Sequence, residues 1–179
     1  MMKLAAALTL AVALCGCNPR PDGAAPEQSS VDAPKPAPEF ELENILGGTL
    51  KSADIKGKVA IIDFWATWCQ PCIVEIPTLN EIHKEHDGKG VQMLGITVLS
   101  GDIEEIKPKV QEFKMQYPVV VGNDDVVDGF GGIIGWPTTF IVTKDWKIYK
   151  RYLGYTAGKK DQIKRDIETL LAQQTADAR

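Results

Sequence analysis

The stretch Val59–Pro77, VAIIDFWATWCQPCIVEIP, constrains this chain more than any other. The apolar, β-branched run Val59–Phe64 predicts a buried strand. A turn through Ala66 and Thr67 follows, and Cys69-Gln70-Pro71-Cys72 opens a helix. Pro71 suits the first helical turn, where a missing N–H costs nothing. Two thiols at this spacing can close a disulfide over a four-residue loop. At the helix start, unpaired backbone N–H groups and the positive dipole end stabilise an anion. That lowers a thiol's pKa and makes Cys69 the nucleophile. Cys72, one turn further in, is the less exposed resolving thiol.

The remaining cysteines give the compartment. Met1-Met2-Lys3 is a short basic start and Leu4–Leu14 an apolar run too short to span a bilayer as a permanent helix. This is the pattern of an export leader. Leu14, Gly16 and Cys17 resemble the bacterial lipoprotein cleavage box, which predicts a signal peptide over 1–16 and lipidation at Cys17. Residues 17–38 read as an extended tether, because 18–38 holds six of the eleven prolines among Asp, Ser, Ala and Glu. The folded domain is expected over 39–174, with a short tail at 175–179. Of four cysteines, Cys15 leaves with the leader and Cys17 carries lipid. The mature domain therefore keeps Cys69 and Cys72, and no structural disulfide framework remains.

With 179 residues and a net charge of −4, the chain suits one domain with appendages and offers no basic face to a nucleic acid. Phe40–Leu42 and Thr49–Leu50 around Gly47-Gly48 predict a hairpin. The helix from Cys69 is expected to reach about Asp87, with a kink at Pro77. A strand over Val91–Leu99, a helix over Ile103–Gln116, a strand at Val119–Val121 and a brief helix over Val126–Phe130 follow. A Gly-rich loop then enters a strand near Trp136-Pro137-Thr138-Thr139-Phe140. Ile148–Leu153 pairs back, and Lys159–Ala172 closes the chain as an amphipathic helix. This order predicts an α/β fold with a mixed central sheet covered on both faces. The glycines at 129, 131, 132 and 135 lack the spacing of a dinucleotide loop.

A lone C-x-x-C admits several chemistries. Structural zinc needs about four ligands, and no second cysteine pair completes such a site. Covalent haem attachment needs His after the second cysteine, where Ile73 stands. A redox disulfide remains. His83 and His86 have no further soft ligand beside them and read as a solvated helix end. Asp63 is costly within Val-Ala-Ile-Ile-Asp-Phe unless neutral or paired. Burial would raise its pKa and let it accept the Cys72 proton. Glu75 lies one helical turn beyond Cys72 and by position alone reads as a surface glutamate that favours the helix dipole.

Trp65-Ala66-Thr67-Trp68-Cys69-Gln70-Pro71-Cys72, Pro77 and Trp136-Pro137-Thr138-Thr139-Phe140 together resemble the thioredoxin-like proteins, in particular the exported TlpA/ResA-type thiol–disulfide oxidoreductases. The resemblance covers roughly 38–172, including the leading hairpin and a helical insertion near 103–116. It implies a thioredoxin fold, a cis bond at Pro137 beside the disulfide, and a substrate-binding surface of Trp68, Trp136, Pro137 and Thr138. Asp63 matches the buried aspartate of thioredoxins, where the TlpA/ResA group commonly has asparagine. Glu75 matches the acidic residue of the ResA-like motif, which implies a part in tuning thiol acidity or meeting substrate. Trp136 departs from the family, whose members usually carry a smaller residue before this proline. Trp65 reads as core or as cover for the disulfide.

The expectation is an extracytoplasmic, periplasmic enzyme that mainly reduces protein disulfides and needs no bound cofactor or metal. By family analogy apocytochrome c is a substrate, and a membrane thiol transporter is the electron donor. Three other readings stand beside it. A thiol peroxidase would want an arginine beside its cysteine, yet within the folded domain only Arg151 and Arg165 are present, both far along the chain. A disulfide oxidase or isomerase would differ in potential. A non-catalytic lipoprotein would bind metal or a partner in the same cleft.

Overall fold

The structure is a computed structural model that describes residues 30–177. The predicted leader and the lipidation position Cys17 lie outside the described residues.

At its centre is β4 (Val59–Trp65), every residue of which is buried. A strand covered on both faces needs this unbroken apolar run rather than an alternating one. β5 (Val91–Thr97) pairs with it in parallel and β7 (Thr138–Val142) antiparallel. The parallel connection from β4 to β5 is made by α2 (Gln70–His86). α3 (Ile103–Glu112) likewise connects β5 to β6 (Val119–Val121). Then come α4 (Asp124–Gly129), the β7–β8 hairpin with β8 at Lys147–Leu153, and α5 (Lys159–Asp177). The leading hairpin of β2 (Glu41–Asn44) and β3 (Thr49–Lys51), followed by the short α1 (Ser52–Ile55), extends the β6 edge. Gly47 and Gly48 turn it at φ of 100° and 76°, where a side chain would be strained. With β1 (Ser30–Pro36) at the other edge, the eight strands among the described residues run β1-β8-β7-β4-β5-β6-β2-β3. This is the thioredoxin-like arrangement expected from the sequence, a mixed sheet with helices on both faces.

Alternation along β4 divides the core. Ala60, Ile62 and Phe64 face Phe40, Val126 and Phe130 in one cluster. Val59 and Ile61 face Leu79 and Ile82 of α2 and Ile163 and Ile167 of α5 in the other. Asp63 continues the second row and thus points toward the α2–α5 layer.

Among the boundaries that differ from the sequence reading, three shift the architecture most. The tether predicted over 17–38 ends earlier, because Ser30–Pro36 forms β1, antiparallel to β8, and Ala37 is buried. Prolines are tolerated on such an edge strand because its outer row of N–H groups needs no ladder partner. The helix expected to reach Gln116 stops at Glu112. Lys114 takes a left-handed φ of 56°, and the Met115 amide turns back to the Val110 carbonyl. The closing helix continues to Asp177, beyond the domain end expected at 174.

Candidate redox-active site

Cys69 is the N-cap of α2, in extended geometry, and its sulfur accepts a hydrogen bond from the Cys72 amide at 3.2 Å. Pro71 lies in the first turn, where it removes no needed donor. Cys69 and Cys72 are joined as a disulfide, with their Cα atoms 5.3 Å apart. The sulfur at the helix N-terminus is thus the one that gains most when it becomes a thiolate. The expected contrast in exposure does not appear. Cys69 is 3% and Cys72 2% exposed, because both pack into one cluster with Trp65, Ala66 and Ile106.

What covers that cluster on the solvent side is a pair of indoles. Trp68 is 55% exposed and donates its Nε1–H to the Leu99 carbonyl at 2.8 Å. Its ring meets that of Trp136 edge to face, centroids 5.5 Å apart. Trp136 packs against the cluster that holds both cysteines. Ser100 Oγ fixes the loop before Cys69, accepting from the Thr67 amide at 3.0 Å and the Thr97 hydroxyl at 2.8 Å. Trp65 is fully buried, edge-on to Phe113, and belongs to the core. The Trp136–Pro137 bond is cis. Thr138, expected on the binding surface, is buried, and its hydroxyl donates to the Gly135 carbonyl at 2.6 Å. Its side chain holds the loop rather than forming exposed surface.

Behind the disulfide lies a second, polar cluster. Asp63 is 2% exposed and accepts from the Thr139 hydroxyl at 2.7 Å. Burial pushes its carboxyl up to about 6, against the Lys159 charge and the Thr139 hydrogen bond, which both pull it down. Glu75, which could have been a surface glutamate, is 1% exposed. Its carboxylate accepts from the Lys159 ammonium at 2.9 Å, and that ammonium also reaches the Gly154 carbonyl at 3.1 Å. Burial, then the Asp63 charge, raise Glu75 to about 7, with Lys159 opposing. The Tyr117 hydroxyl is buried too. Burial, then the charges of Asp63 and Glu75, hold its pKa well above the usual tyrosine value.

The structure thus brings Cys69, Cys72, Asp63, Glu75, Trp68, Trp136 and Pro137 around one end of β4 and α2. Lys159, Thr139 and Tyr117 join them unannounced by the sequence reading. A lysine opening an amphipathic helix reads as solvated, and nothing local distinguishes Lys159 from Lys160. His86 also departs from expectation: it is buried, which lowers its pKa, while His83 packs edge-on to Tyr117. Among the described residues no group of three or more His, Cys, Asp or Glu could hold a metal ion. Arg151 stands in β8 opposite Phe140, and Arg165 is an exposed residue of α5. Among the described residues no helix is long and apolar enough to cross a membrane.

Residues 33–151 match the AhpC/TSA family. The thiol–disulfide oxidoreductase ResA of Bacillus thuringiensis is 30% identical over 141 residues, which span 79% of this chain and 78% of that protein. A thiol:disulfide interchange protein of the thioredoxin family from Chlorobium tepidum superposes with a TM-score of 0.69 at 30% identity, over 78% of this chain and 97% of that one. The pneumococcal exposed lipoprotein thioredoxin of Streptococcus pneumoniae superposes with a TM-score of 0.66 at 27% identity, over 74% and 100%.

Proposed function

Since this chain belongs to the AhpC/TSA family and is a thioredoxin-like thiol–disulfide oxidoreductase, we propose that it works mainly as a reductase of protein disulfides outside the cytoplasm. The observation that carries this reading is the pairing of a helix-capping Cys69 sulfur with a buried carboxyl, Asp63, in the strand that leads into it. In the reduced enzyme the Cys69 thiolate attacks a substrate disulfide and forms a mixed disulfide. Cys72 gives its proton to Asp63, directly or through water, and attacks the Cys69 sulfur. The substrate thiolate leaves reduced and Cys69–Cys72 is left oxidised.

Electrons reside in the dithiol itself, so no bound cofactor is required. The reducing direction is favoured by Gln70-Pro71, which places no histidine between the cysteines. The pneumococcal relative's description as an exposed lipoprotein supports membrane attachment through Cys17 on the extracytoplasmic or periplasmic side. A membrane thiol transporter is the proposed electron donor and apocytochrome c a proposed substrate.

The test is the reduction potential of the Cys69–Cys72 pair, by equilibration with glutathione or dithiothreitol. A value near thioredoxin's, about −270 mV, is expected, whereas one near about −120 mV would make the protein a disulfide donor.

A further inference from the structure

Lys159 is the first residue of α5, and two effects oppose a cation there. Burial strips the ammonium of its hydration, and the start of a helix carries the positive end of its macrodipole. A buried lysine in that place needs negative charge from elsewhere. It has two sources on two other elements, Glu75 of α2 at 2.9 Å and Asp63 of β4, whose ionisation the ammonium favours. The hydroxyl facing them from before β6, Tyr117, is neutral. From β7 comes only Thr139, which does not titrate. Opposite Thr139 in β8 stands Tyr152, already bonded to Asp166, which Lys150 reaches at 3.2 Å. From α2 the Cys72 thiol lies one turn before Glu75.

One cation therefore faces two carboxyls in a buried space. Fully ionised, the three groups would carry a net negative charge; with a single proton they are neutral. Glu75 has a place for that proton. Its Oε2 is taken by Lys159, while its buried Oε1 has no hydrogen-bond partner among the described residues.

We propose that Lys159 is the positioning residue of the resolving step, a buried cation that fixes Asp63 and Glu75 at one shared proton and so keeps one carboxylate free to take the proton of Cys72. This rests on the reading that Asp63 receives that proton. The step balances: the Cys72 S–H gives its proton to the carboxylate, the Cys72 sulfur bonds to Cys69, and the substrate sulfur leaves with the electron pair of the broken S–S bond. Remove Lys159 and both carboxyls hold protons, so neither can accept another. Remove Glu75 and the whole ammonium acts on Asp63, which then ionises at lower pH.

The experiment follows the carboxyl carbons of Asp63 and Glu75 by NMR through a pH titration of the folded, oxidised protein. Beside it, the pH profile of mixed-disulfide resolution is measured by stopped flow. The wild type should show two separated steps with one proton held by the pair between them. Lys159→Met should hold both protons at pH 7, with resolution at least tenfold slower and its acid limb moved up by a pH unit or more. Glu75→Gln should move that limb down. A Lys159→Met protein that loses thermal stability yet keeps the wild-type titration and acid limb would reduce Lys159 to a structural residue. Should Lys159→Met not fold, a Glu75→Gln limb that stays in place, or two independent wild-type titrations in the ordinary carboxylate range, overturns the proposal. The parent reading fails separately: Asp63→Asn resolving at the wild-type rate removes Asp63 from the step, and the catalytic part of this proposal with it, whatever the titrations count.

Discussion

The two sides of the Cys69–Cys72 disulfide are built from opposite materials. Outward lie two indoles, Trp68 and Trp136, with Trp68 half in solvent. Inward lie two carboxyls and an ammonium, none more than 2% exposed. Exposed aromatic surface can change partners at little cost, so the outer side is suited to choosing what reaches the sulfurs. Buried charge cannot rearrange without a desolvation penalty of several kcal/mol. The inner side is therefore suited to setting when a proton moves. Recognition and proton transfer are thus separable in this site, and each can be perturbed alone.

The largest effect should come from the inner side. Asp63→Asn keeps the shape and removes the proton acceptor, so mixed-disulfide formation should persist while its resolution slows about a hundredfold, in the range of lost general-base catalysis. Trapping the mixed disulfide and timing its decay checks this. A normal decay rate would dissolve the division of labour.

Next in size is the dependence of stability on pH. Asp63 and Glu75 hold protons in the folded oxidised protein to about 6 and about 7, whereas an unfolded chain releases them near 4. Between these values the folded state binds more protons than the unfolded state, so stability falls as pH rises and levels off above about 7. The loss assigned to Asp63 is about 2–3 kcal/mol. Urea denaturation from pH 4 to 8 should show it, with the fall reduced in Asp63→Asn. Stability rising across that window would contradict the burial of these groups as acids.

The smallest effect belongs to the outer side. Trp136→Thr should change the ratio of kcat/KM between two protein substrates by about threefold to tenfold, a change of roughly 1 kcal/mol, with the acid limb of resolution unmoved. Identical ratios across several substrates would deprive Trp136 of any part in selection, and a moved limb would show that the two sides communicate.

What was legible in the sequence follows the same line. The β4–turn–α2 unit, the Gly47-Gly48 hairpin and the strand after Pro137 are announced by neighbours in sequence, through apolar runs, a proline and positive-φ glycines. Asp63 could be singled out because an acid within an apolar strand is anomalous on local grounds. Lys159 and Tyr117 could not, since a lysine opening a helix and a tyrosine before a strand are unremarkable until the fold buries them. Thr138 shows the reverse: its motif is local, but the burial of its side chain and its bond to Gly135 are set by the fold. The early end of the tether was hidden by composition. Proline-rich sequence reads as unstructured, yet an edge position needs only extended backbone.

The bond between Lys159 and Glu75 spans 84 residues of chain. A polypeptide that emerges amino end first therefore displays its cysteine pair long before the lysine that completes the inner cluster. Cys69 takes its place at the start of α2 from its own neighbours in sequence, whereas Asp63 and Glu75 depend on α5 for the cation that faces them. The inner cluster is complete only with the last helix of the chain, so a lesion that displaces α5 leaves the cysteine motif without that buried cation.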